Sequence, residues 1–383
     1  NPESVGGRYS ALSYVGLVPA SLAGVDLDPF LAASVSMHAR CTAADPTANP
    51  GVALGATLGA LAAAGRDKLT LIVDPGIPSL GAWLEQLVAE STGKLGTGIV
   101  PVDREPLGAI TSYGPDRVFA RIVLDGTEPP APGPDGTPAD VLLDELAAAG
   151  HPVLRFVLAD PIDLAAEFVR WEVATAVAGI VLAVNPFDEP NVTESKENTR
   201  RVLEELEHQG AFPHDEPLAR GDGIALHGDT PLRLAAGSGT VVGELRRHLA
   251  RVRAGGYLAI GAFVAPTGTR GRAIDRMRAR LRDATGLATT GGFGPRYLHS
   301  TGQLHKGGPA VGWFLQMTAD HPADPPVPGK PYTFGQLIDA QARGDMEALE
   351  AHDLPVLRVH LGTDVDAGLE TLDAALAEAL RQE

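Results

Sequence analysis

The sequence predicts an α/β protein, with a mainly parallel sheet between two layers of helices. Short apolar runs rich in β-branched residues read continuously rather than alternating, which is typical of strands covered on both faces. Longer stretches with helical periodicity fall between these runs. The alternation continues over about 300 of the 383 residues, which favours an α/β fold over separate all-α and all-β domains.

The predicted strands come first in the argument because they define the sheet. Each is a run of four to eight mostly apolar residues, bounded by glycine, proline or charged residues. The runs are Leu69–Asp74, Val118–Leu124, Val153–Leu158, Gly223–Leu226 and Tyr257–Val264.

The predicted helices lie between and after these strands. One begins near Pro161 and places a single apolar stripe along its length, through Leu164, Phe168 and Trp171. Another is expected to begin at Ser79 as N-cap and to run to about Glu90. The remaining helical stretches are Val242–Ala254, Arg270–Ala284 and Val365–Gln382.

Two stretches dense in proline are predicted to be exposed loops, Gly126–Pro138 and His321–Pro331. Neither carries the apolar periodicity of a helix or a strand. No internal repeat of solenoid length is present.

Composition excludes several classes of function. The net charge of −17 argues against a nucleic-acid partner and against an anionic membrane surface, since both are bound by clustered Lys and Arg. No apolar run approaches the roughly 18 residues of a membrane-spanning helix. With Cys41 as the single cysteine, an internal disulfide is impossible, which fits a reducing cytoplasm.

Three short patterns superficially suggest cofactor sites. Gly237–Gly243 has one residue too many for a dinucleotide fingerprint, and no predicted strand leads into it. Ser91–Lys94 contains Gly-Lys but lacks the glycine of a P-loop five residues earlier. His299 and His305 have no cysteine or acidic cluster nearby, so a zinc site is not expected.

Three other strings carry candidate functional residues, and the first is Val5–Ser10. Its two glycines allow the backbone to approach a ligand closely, and Gly7 delivers Arg8 beside this tight turn. Ser10 follows with a hydroxyl group. The alternative is an ordinary turn in which Arg8 is only a surface charge.

The second string surrounds Glu90, which lies at the end of a helix whose other face is apolar. A carboxylate is disfavoured there by the helix macrodipole. Either Glu90 merely pairs with Lys94, or the unfavourable position is tolerated because a base is needed at that point.

The third string, Phe293–Pro309, concentrates hydrogen-bonding side chains on a glycine-rich loop. Such density is unusual in a purely structural linker, and loops on rigid scaffolds commonly carry sites. A further string, Leu182–Val192, is interpreted as the exit of a helix into a loop, hence scaffold more than chemistry. The residues of interest in the third string are Arg296, His299, Gln303, His305 and Lys306.

Together these strings resemble the phosphoglucose isomerase family. Val5–Ser10 with the following Ser13 and Gly16 resembles one signature of that family, and Glu90–Lys94 resembles its glutamate-bearing segment. Phe168–Gly179, Asn185–Val192 and Phe293–Pro309 are similar to the isomerase part of bifunctional transaldolase/phosphoglucose isomerase proteins. Any one string is weak, whereas several in the right order are specific.

The resemblance implies a fold of two sugar-isomerase (SIS) domains, each a three-layer αβα sandwich. Residues 1–60 are expected to close the first SIS domain, and residues 61–383 to form the second with a C-terminal helical segment. Since the chain begins with Asn1-Pro2 rather than Met, it looks like a C-terminal fragment. The N-terminal half that cradles the sugar phosphate, and any fused transaldolase domain, would then be missing.

The resemblance also implies roles for individual residues. Glu90 matches the base that moves a proton between C1 and C2, and Arg8 matches the arginine that faces the enediolate. Lys306 is the match for the ring-opening lysine, with His305 beside it. Gly7, Ser10, Arg296, His299 and Gln303 are expected to contact substrate.

One departure from the family pattern concerns its ring-opening histidine. The corresponding stretch here carries Asp116 and Arg117 instead, so the partner of Lys306 is open, and His299 or His305 is expected to substitute. For the mechanism to work, Arg8, Glu90 and Lys306 must converge on one sugar-sized hollow.

The expected function is therefore aldose–ketose isomerisation of glucose 6-phosphate and fructose 6-phosphate through a cis-enediol, in glycolysis and gluconeogenesis. The reaction needs no cofactor and no metal. The resemblance implies a homodimer, and a cytoplasmic location is expected. Two alternatives stay open: a SIS-type module that binds a sugar phosphate without turnover, and a dehydrogenase on a similar sheet. The absent dinucleotide fingerprint weighs against the second.

Overall fold

The computed structural model describes residues 5–381 and divides the chain into two compact units. Unit 1 comprises Asn1–Arg104 and Pro115–Glu189, and unit 2 comprises Glu105–Gly114 and Pro190–Glu383. The predicted boundary at residue 60 is not where the units divide, and the assignment of residues 1–60 and 61–383 to two SIS domains stays a prediction. The start of the chain at Asn1-Pro2 lies outside the described residues.

Unit 1 contains a four-stranded, wholly parallel sheet in the order β2-β1-β3-β4. From β1 the chain adds a strand on one side and then returns to build the other side. Because crossovers between parallel strands are right-handed, this reversal puts helices on both faces of the sheet. The strands are β1 Lys68–Val73, β2 Val100–Asp103, β3 Arg117–Leu124 and β4 Val153–Leu158.

Within residues 5–381, six α-helices belong to unit 1. They are α1 Tyr14–Leu22, α2 Leu27–Cys41, α3 Pro50–Ala63, α4 Ser79–Thr92, α5 Ala139–Ala148 and α6 Leu164–Val181. Ser79 was predicted as the N-cap of α4, which is wrong by one residue. Pro78 occupies the cap, without a side-chain hydrogen bond, and Ser79 is the first helical residue.

The closest helix packing in unit 1 joins α3 to α6. Gly51, Gly55 and Gly59 recur every four residues on one side of α3 and face α6. A Cβ atom at Gly55 would lie 2.2 Å from the carbonyl oxygen of Ala174, so only glycine allows the two backbones to approach this closely.

Unit 2 contains a six-stranded sheet in the order β5-β6-β10-β9-β7-β8. Its last four strands in that order run parallel, whereas β6 pairs antiparallel with both β5 and β10. The strands are β5 Ala219–Gly221, β6 Ile224–Gly228, β7 Tyr257–Ala262, β8 Ala288–Phe293, β9 Gly312–Thr318 and β10 Val356–His360.

Seven helices belong to unit 2. The helix predicted over Val242–Ala254 ends earlier, at Leu249, and the last residue predicted for the C-terminal helix lies outside the described residues. The helices are α7 Pro190–Gln209, α8 Thr230–Leu234, α9 Val241–Leu249, α10 Gly268–Thr285, α11 Gly302–Gly307, α12 Phe334–Ala351 and α13 Val365–Ala379.

The predicted fold class, α/β with a mainly parallel sheet and helices on both faces, is confirmed. All five predicted strands form, within two residues at each end. Both proline-dense stretches are loops, with only an isolated bridge between Pro326 and Thr333 at the second. Within residues 5–381 we find no helix both long and apolar enough to cross a bilayer.

Candidate active site

Arg8 is presented by a single turn of 3-10 helix, Gly7–Tyr9, and is only 2% exposed. Ser10 closes this turn, since its hydroxyl donates to the carbonyl of Gly7 at 2.7 Å. The indole of Trp83 donates to the carbonyl of Arg8 at 3.0 Å and holds the backbone against α4. Arg8 is therefore a buried, oriented cation rather than a surface charge, and Ser10 shapes the turn that carries it.

The Arg8 guanidinium lies against two carboxylates and one hydroxyl group. Its Nη1 lies 3.3 Å from Oε1 of Glu90 and 2.9 Å from Oε2 of Glu189. Its Nε donates to the Ser91 hydroxyl at 2.9 Å. Arg8 and Glu90, separated in sequence by α1, α2, α3, β1 and most of α4, are thus brought into direct contact.

Glu90 occupies the last turn of α4 and is 7% exposed. Its other oxygen, Oε2, accepts a hydrogen bond from the Gln86 amide at 3.1 Å. Burial raises the pKa of Glu90, while the charge of Arg8 and the hydrogen bond from Gln86 partly offset that effect. A carboxylate whose pKa is raised towards neutrality is better matched to general-base work than an ordinary glutamate.

The loop Asn185–Glu189 lies against Arg8, and its interpretation as scaffold stays a prediction. The carbonyls of Pro186 and Asp188 accept hydrogen bonds from Nη2 of Arg8 at 3.0 and 3.1 Å. Glu189 supplies the second carboxylate already described. The signal in the sequence was the amide and two acidic side chains crowded into one short loop that follows a buried helix.

Lys94 does not pair with Glu90, which removes the structural alternative for that carboxylate. Its ammonium lies 2.8 Å from Oδ1 of Asp188 and also donates to the carbonyl of Asn185. Burial lowers the pKa of Lys94, and the contact with Asp188 partly restores it. Lys94 therefore holds the loop Asn185–Glu189 in place, and Arg8 is the cation that contacts Glu90.

Tyr9 and Glu172 extend the buried polar network. The Tyr9 hydroxyl lies 3.1 Å from the Ser91 hydroxyl, and burial raises its pKa. Burial also raises the pKa of Glu172, on α6, to about 8. Its Oε1 finds no hydrogen-bond partner among the residues that the structure describes.

The string Phe293–Pro309 folds in unit 2 as a 3-10 turn followed by the short helix α11. Lys306 is fully buried and lies 2.8 Å from Oδ1 of Asp345 on α12. The Tyr297 hydroxyl donates to the other oxygen of Asp345 at 2.6 Å. Burial opposes ionisation of Asp345, but Lys306 outweighs it and lowers the pKa of that carboxyl. Lys306 is thus held in a closed ion pair.

His305 is likewise buried, in an aromatic cage. Its ring packs 4.9 Å from that of Phe314, 6.0 Å from that of Tyr297 and 6.1 Å from that of Tyr257. Neither ring nitrogen has a hydrogen-bond partner within residues 5–381. Burial, and then the charge of Lys306, lower its pKa to about 3, so the imidazole is neutral near pH 7.

Gln303 and Asn191 tie α11 to the start of α7. The backbone N–H of Asn191 donates to Oε1 of Gln303 at 2.8 Å. In return, Nε2 of Gln303 donates to the side-chain Oδ1 of Asn191, also at 2.8 Å. Gln303 is completely buried, so this pair acts as a clamp on the string. Arg296 is exposed at the start of the 3-10 turn.

His299 reaches an open hollow of about 140 Å³. His299 and Lys196 are both exposed and line this hollow. Lys196 belongs to α7. Burial, followed by the charge of Lys196, lowers the pKa of His299. Sequence reasoning did not single out Lys196, because one lysine on a strongly charged helix has no distinguishing pattern. The remaining lining residues are Val192, Ser195, Thr199, Leu298 and Gln341.

Asp116 and Arg117, which replace the family's histidine segment, are buried within unit 1. Asp116 lies 3.5 Å from the ammonium of Lys68, and Arg117 donates to the hydroxyl of Thr70 at 2.8 Å. These contacts tie β3 to β1, and neither side chain is exposed. Both residues therefore make structural contacts with β1 in unit 1.

The predicted site residues thus form two groups. Arg8 and Glu90 are in direct contact in unit 1, whereas His299, Gln303, His305 and Lys306 belong to unit 2. The convergence of both groups on one substrate stays a prediction. In the described part of the chain, no group of three or more His, Cys, Asp or Glu side chains is arranged to hold a metal ion.

The chain is similar to several curated bacterial proteins named glucose-6-phosphate isomerase. It is 31% identical to that of Symbiobacterium thermophilum over 231 residues, 53% of this chain and 52% of the relative. It is 32% identical to that of Rubrobacter xylanophilus over 235 residues, 52% of this chain and 53% of the relative. The chain spans about half the length of these relatives, and over that part the predicted resemblance to the phosphoglucose isomerase family is confirmed.

Other comparisons add little. No protein-family model matches the chain. A hypothetical protein from Thermus thermophilus aligns with 97% of this chain and 92% of its own, at 10% identity and a TM-score of 0.32. The C-terminal domain of glucosamine-fructose-6-phosphate aminotransferase from Francisella tularensis reaches a TM-score of 0.24 at 11% identity, with 92% and 93% covered. Neither likeness is close enough to bear on fold or function.

Proposed function

We propose that the chain belongs to an aldose–ketose isomerase that interconverts glucose 6-phosphate and fructose 6-phosphate. The observation that supports this best is the buried contact between Arg8 and Glu90, a carboxylate with a raised pKa held 3.3 Å from a fixed guanidinium. The names of the relatives point to the same reaction.

In this proposal Glu90 is the base. It takes the proton from C2 of the open-chain aldose; the electron pair of that C–H bond forms the C1–C2 double bond, and the carbonyl pair moves onto O1 to give a cis-enediolate. The proton of the C2 hydroxyl passes to O1, the same carboxyl returns its proton to C1, and the C2 carbonyl of the ketose forms. One carboxyl can serve both carbons because they are adjacent, and the raised pKa of Glu90 makes its protonated form a usable acid for the second step.

Arg8 stabilises the charge that develops in this step. Negative charge grows on the oxygens of C1 and C2 as the proton leaves, and a buried cation beside Glu90 is already oriented when it does. A preorganised donor of this kind typically contributes about 3 kcal/mol to transition-state stabilisation. Burial of the pair, at 2% and 7% exposure, strengthens the effect because solvent screens little of the field.

We propose His299 with Lys196 for ring opening, since both side chains reach a hollow. Lys306 and His305 were the residues expected from the resemblance. Lys306 is closed in its ion pair with Asp345, and His305 is caged by aromatic rings. Their burial favours a positioning role, in which they fix the string that carries His299.

A second candidate function is the binding of a sugar phosphate without turnover. All three nitrogens of the Arg8 guanidinium already have protein partners. During turnover, a bound enediolate would have to share or displace these protein partners of Arg8, which costs free energy. A module that only binds the sugar phosphate forms no enediolate and has no such cost. Turnover by the full-length protein separates the two functions.

The direct test is conversion of fructose 6-phosphate to glucose 6-phosphate by the full-length protein. Glu90→Gln keeps the shape of the side chain and removes the base, so turnover is expected to fall by at least 10²–10⁴-fold. Calorimetric titration should still detect substrate binding at close to the unaltered affinity. The matched control is Glu145→Gln, which neutralises an exposed carboxylate on α5; normal activity in Glu90→Gln itself would exclude Glu90 as the base.

The remaining expectations rest on the resemblance alone. They are a homodimeric assembly, a cytoplasmic location, a place in glycolysis and gluconeogenesis, and a transaldolase domain fused upstream. The chain taken by itself is expected to be weakly active or inactive, because it spans only about half the length of the relatives.

A further inference from the structure

A second hollow in unit 2, of about 440 Å³, lies outside the residues assigned to the isomerase. It opens where α12 passes over the β6-β10-β9 part of the sheet, and Thr318 and His360 stand at its edge at the carboxyl ends of β9 and β10. In open α/β sheets, ligands bind in crevices beside the carboxyl ends of parallel strands. Its volume is that of a site for a small metabolite.

Three arginines line this hollow: Arg220, Arg343 and Arg358. Arg358, on β10, is only 7% exposed and donates to Oδ2 of Asp215 at 2.7 Å. Arg343, on α12, lies over the ring of Phe212 with its Cζ 4.8 Å from the ring centroid, a cation–π contact.

The carboxylates of the hollow already have partners. Asp215 contacts Arg358, the ring of His227 at 3.1 Å and Arg233 at 3.5 Å. The contact with His227, with the nearby arginines, lowers the pKa of Asp215 to about 2.

The second lining carboxylate, Asp339, lies 3.1 Å from Nε2 of His321. Within the described part of the chain, neither Arg220 nor Arg343 forms an ion pair with a carboxylate. Two of the three arginines thus lack an anionic partner.

Two like charges, Arg343 and Arg358, line the same hollow. Burial, and then the charge of Arg343, lower the pKa of Arg358, while Asp215 and Asp339 oppose that shift. Nearby like charges disfavour each other, so an anion placed against Arg343 and Arg358 would reduce the repulsion and gain charge-assisted hydrogen bonds.

We infer that this hollow is a binding site for a small phosphorylated metabolite, distinct from the proposed isomerase site. Arg343 and Arg358 would hold the phosphate, and Arg220 would add a third positive charge from the edge strand β5. The organic part of the ligand would lie against Phe212 and Pro213. The site does not depend on the isomerase proposal, since none of its residues belongs to that mechanism.

Isothermal titration calorimetry with inorganic phosphate and with glycerol 2-phosphate tests this inference on the full chain. Arg343→Gln is expected to weaken binding of both probes at least tenfold, and Arg220→Gln to weaken it by a smaller factor. The matched control is Arg272→Gln on α10, which removes the same charge outside the hollow and should change affinity less than twofold. Unaltered melting temperatures establish that each variant is folded.

Three results would overturn the inference: no binding of either probe at millimolar concentration, equal weakening by Arg343→Gln and Arg272→Gln, or binding of succinate as tight as that of phosphate. The last would assign the hollow to dicarboxylates. The Arg220 variant keeps the test decisive should Arg343→Gln fail to fold, and isomerase activity can be lost or kept without altering any of these outcomes.

Discussion

At the scale of single residues, the site depends on a carboxylate in an unfavourable position. A cation that is distant in sequence but adjacent in space compensates for that position. Glu90 stands at the C-terminal end of α4, where the helix dipole disfavours negative charge, and Arg8 supplies the opposing charge. Sequence reasoning found both residues because glycine-flanked arginine and a misplaced glutamate are local signals. It missed the loop carbonyls, since backbone acceptors have no residue signature, and it missed Glu189 because the whole loop was interpreted as scaffold.

Glu172 provides a test of buried charge near this site. Its pKa is raised from 4.5 to about 8 by burial, so the folded chain keeps a proton that the unfolded chain loses above pH 4.5. Stability from this group is therefore complete below pH 4.5 and falls as pH rises to about 8. Glu172→Gln should remove that fall, which is on the order of a few kcal/mol.

Chemical denaturation between pH 5 and 8.5 measures this effect. Glu172→Gln should be the more stable protein at pH 8 and should match the unaltered protein near pH 5. Glu145→Gln, an exposed glutamate on α5, should leave the pH profile unaltered. Parallel profiles for all three proteins would show that Glu172 is ionised in the fold.

Lys306 is expected to act through structure rather than by touching substrate. Lys306→Met would leave Asp345 buried without its cation, which typically costs about 3–5 kcal/mol. Lys196→Met removes an exposed lysine and should change stability by less than about 0.5 kcal/mol. Urea denaturation compares the two, and equal stability for both variants would argue that the Lys306 ion pair is unimportant to the fold.

At the scale of elements, β1, β3 and β4 could be predicted from the sequence because their runs are mostly apolar, although Arg121 and Arg155 lie inside β3 and β4. β9 was not predicted, and it carries Gln316 in its interior. That residue is buried in the structure, where its amide donates to the carbonyl of Ala342 and to Asp345 at 3.0 and 3.2 Å. A hydrogen-bond partner supplied by another helix cannot be read from the strand itself.

The packing of α3 on α6 gives a prediction at this scale. Gly55→Ala places a methyl group 2.2 Å from a backbone oxygen, and overpacking of this kind typically costs about 1–3 kcal/mol. Gly271→Ala is the matched control on α10, because its added Cβ meets no atom within 4 Å. That change should stabilise by up to about 1 kcal/mol through helix propensity.

Thermal unfolding followed by circular dichroism measures both glycine variants. The melting temperature should fall for Gly55→Ala and stay equal or rise for Gly271→Ala. Two equal rises would mean that α3 and α6 are not in backbone contact.

At the scale of the whole molecule, the α/β class was predictable because strands and helices alternate along the sequence, where each can be recognised locally. The division into units was not, since a short segment after β2 joins unit 2. Glu105 in that segment accepts hydrogen bonds from the backbone and hydroxyl of Thr289, at 2.8 and 2.7 Å. Contacts across so many residues leave no local pattern.

The most direct test follows hydrogen at C2 of the sugar by NMR, with glucose 6-phosphate and the full-length protein in D₂O. Transfer by Glu90 through an enediol predicts deuterium at C2 of the recovered aldose and at C1 of the ketose, because the carboxyl exchanges its proton with solvent. Both signals should vanish in Glu90→Gln and persist in Glu145→Gln. Deuterium incorporation at the normal rate in Glu90→Gln would contradict the account.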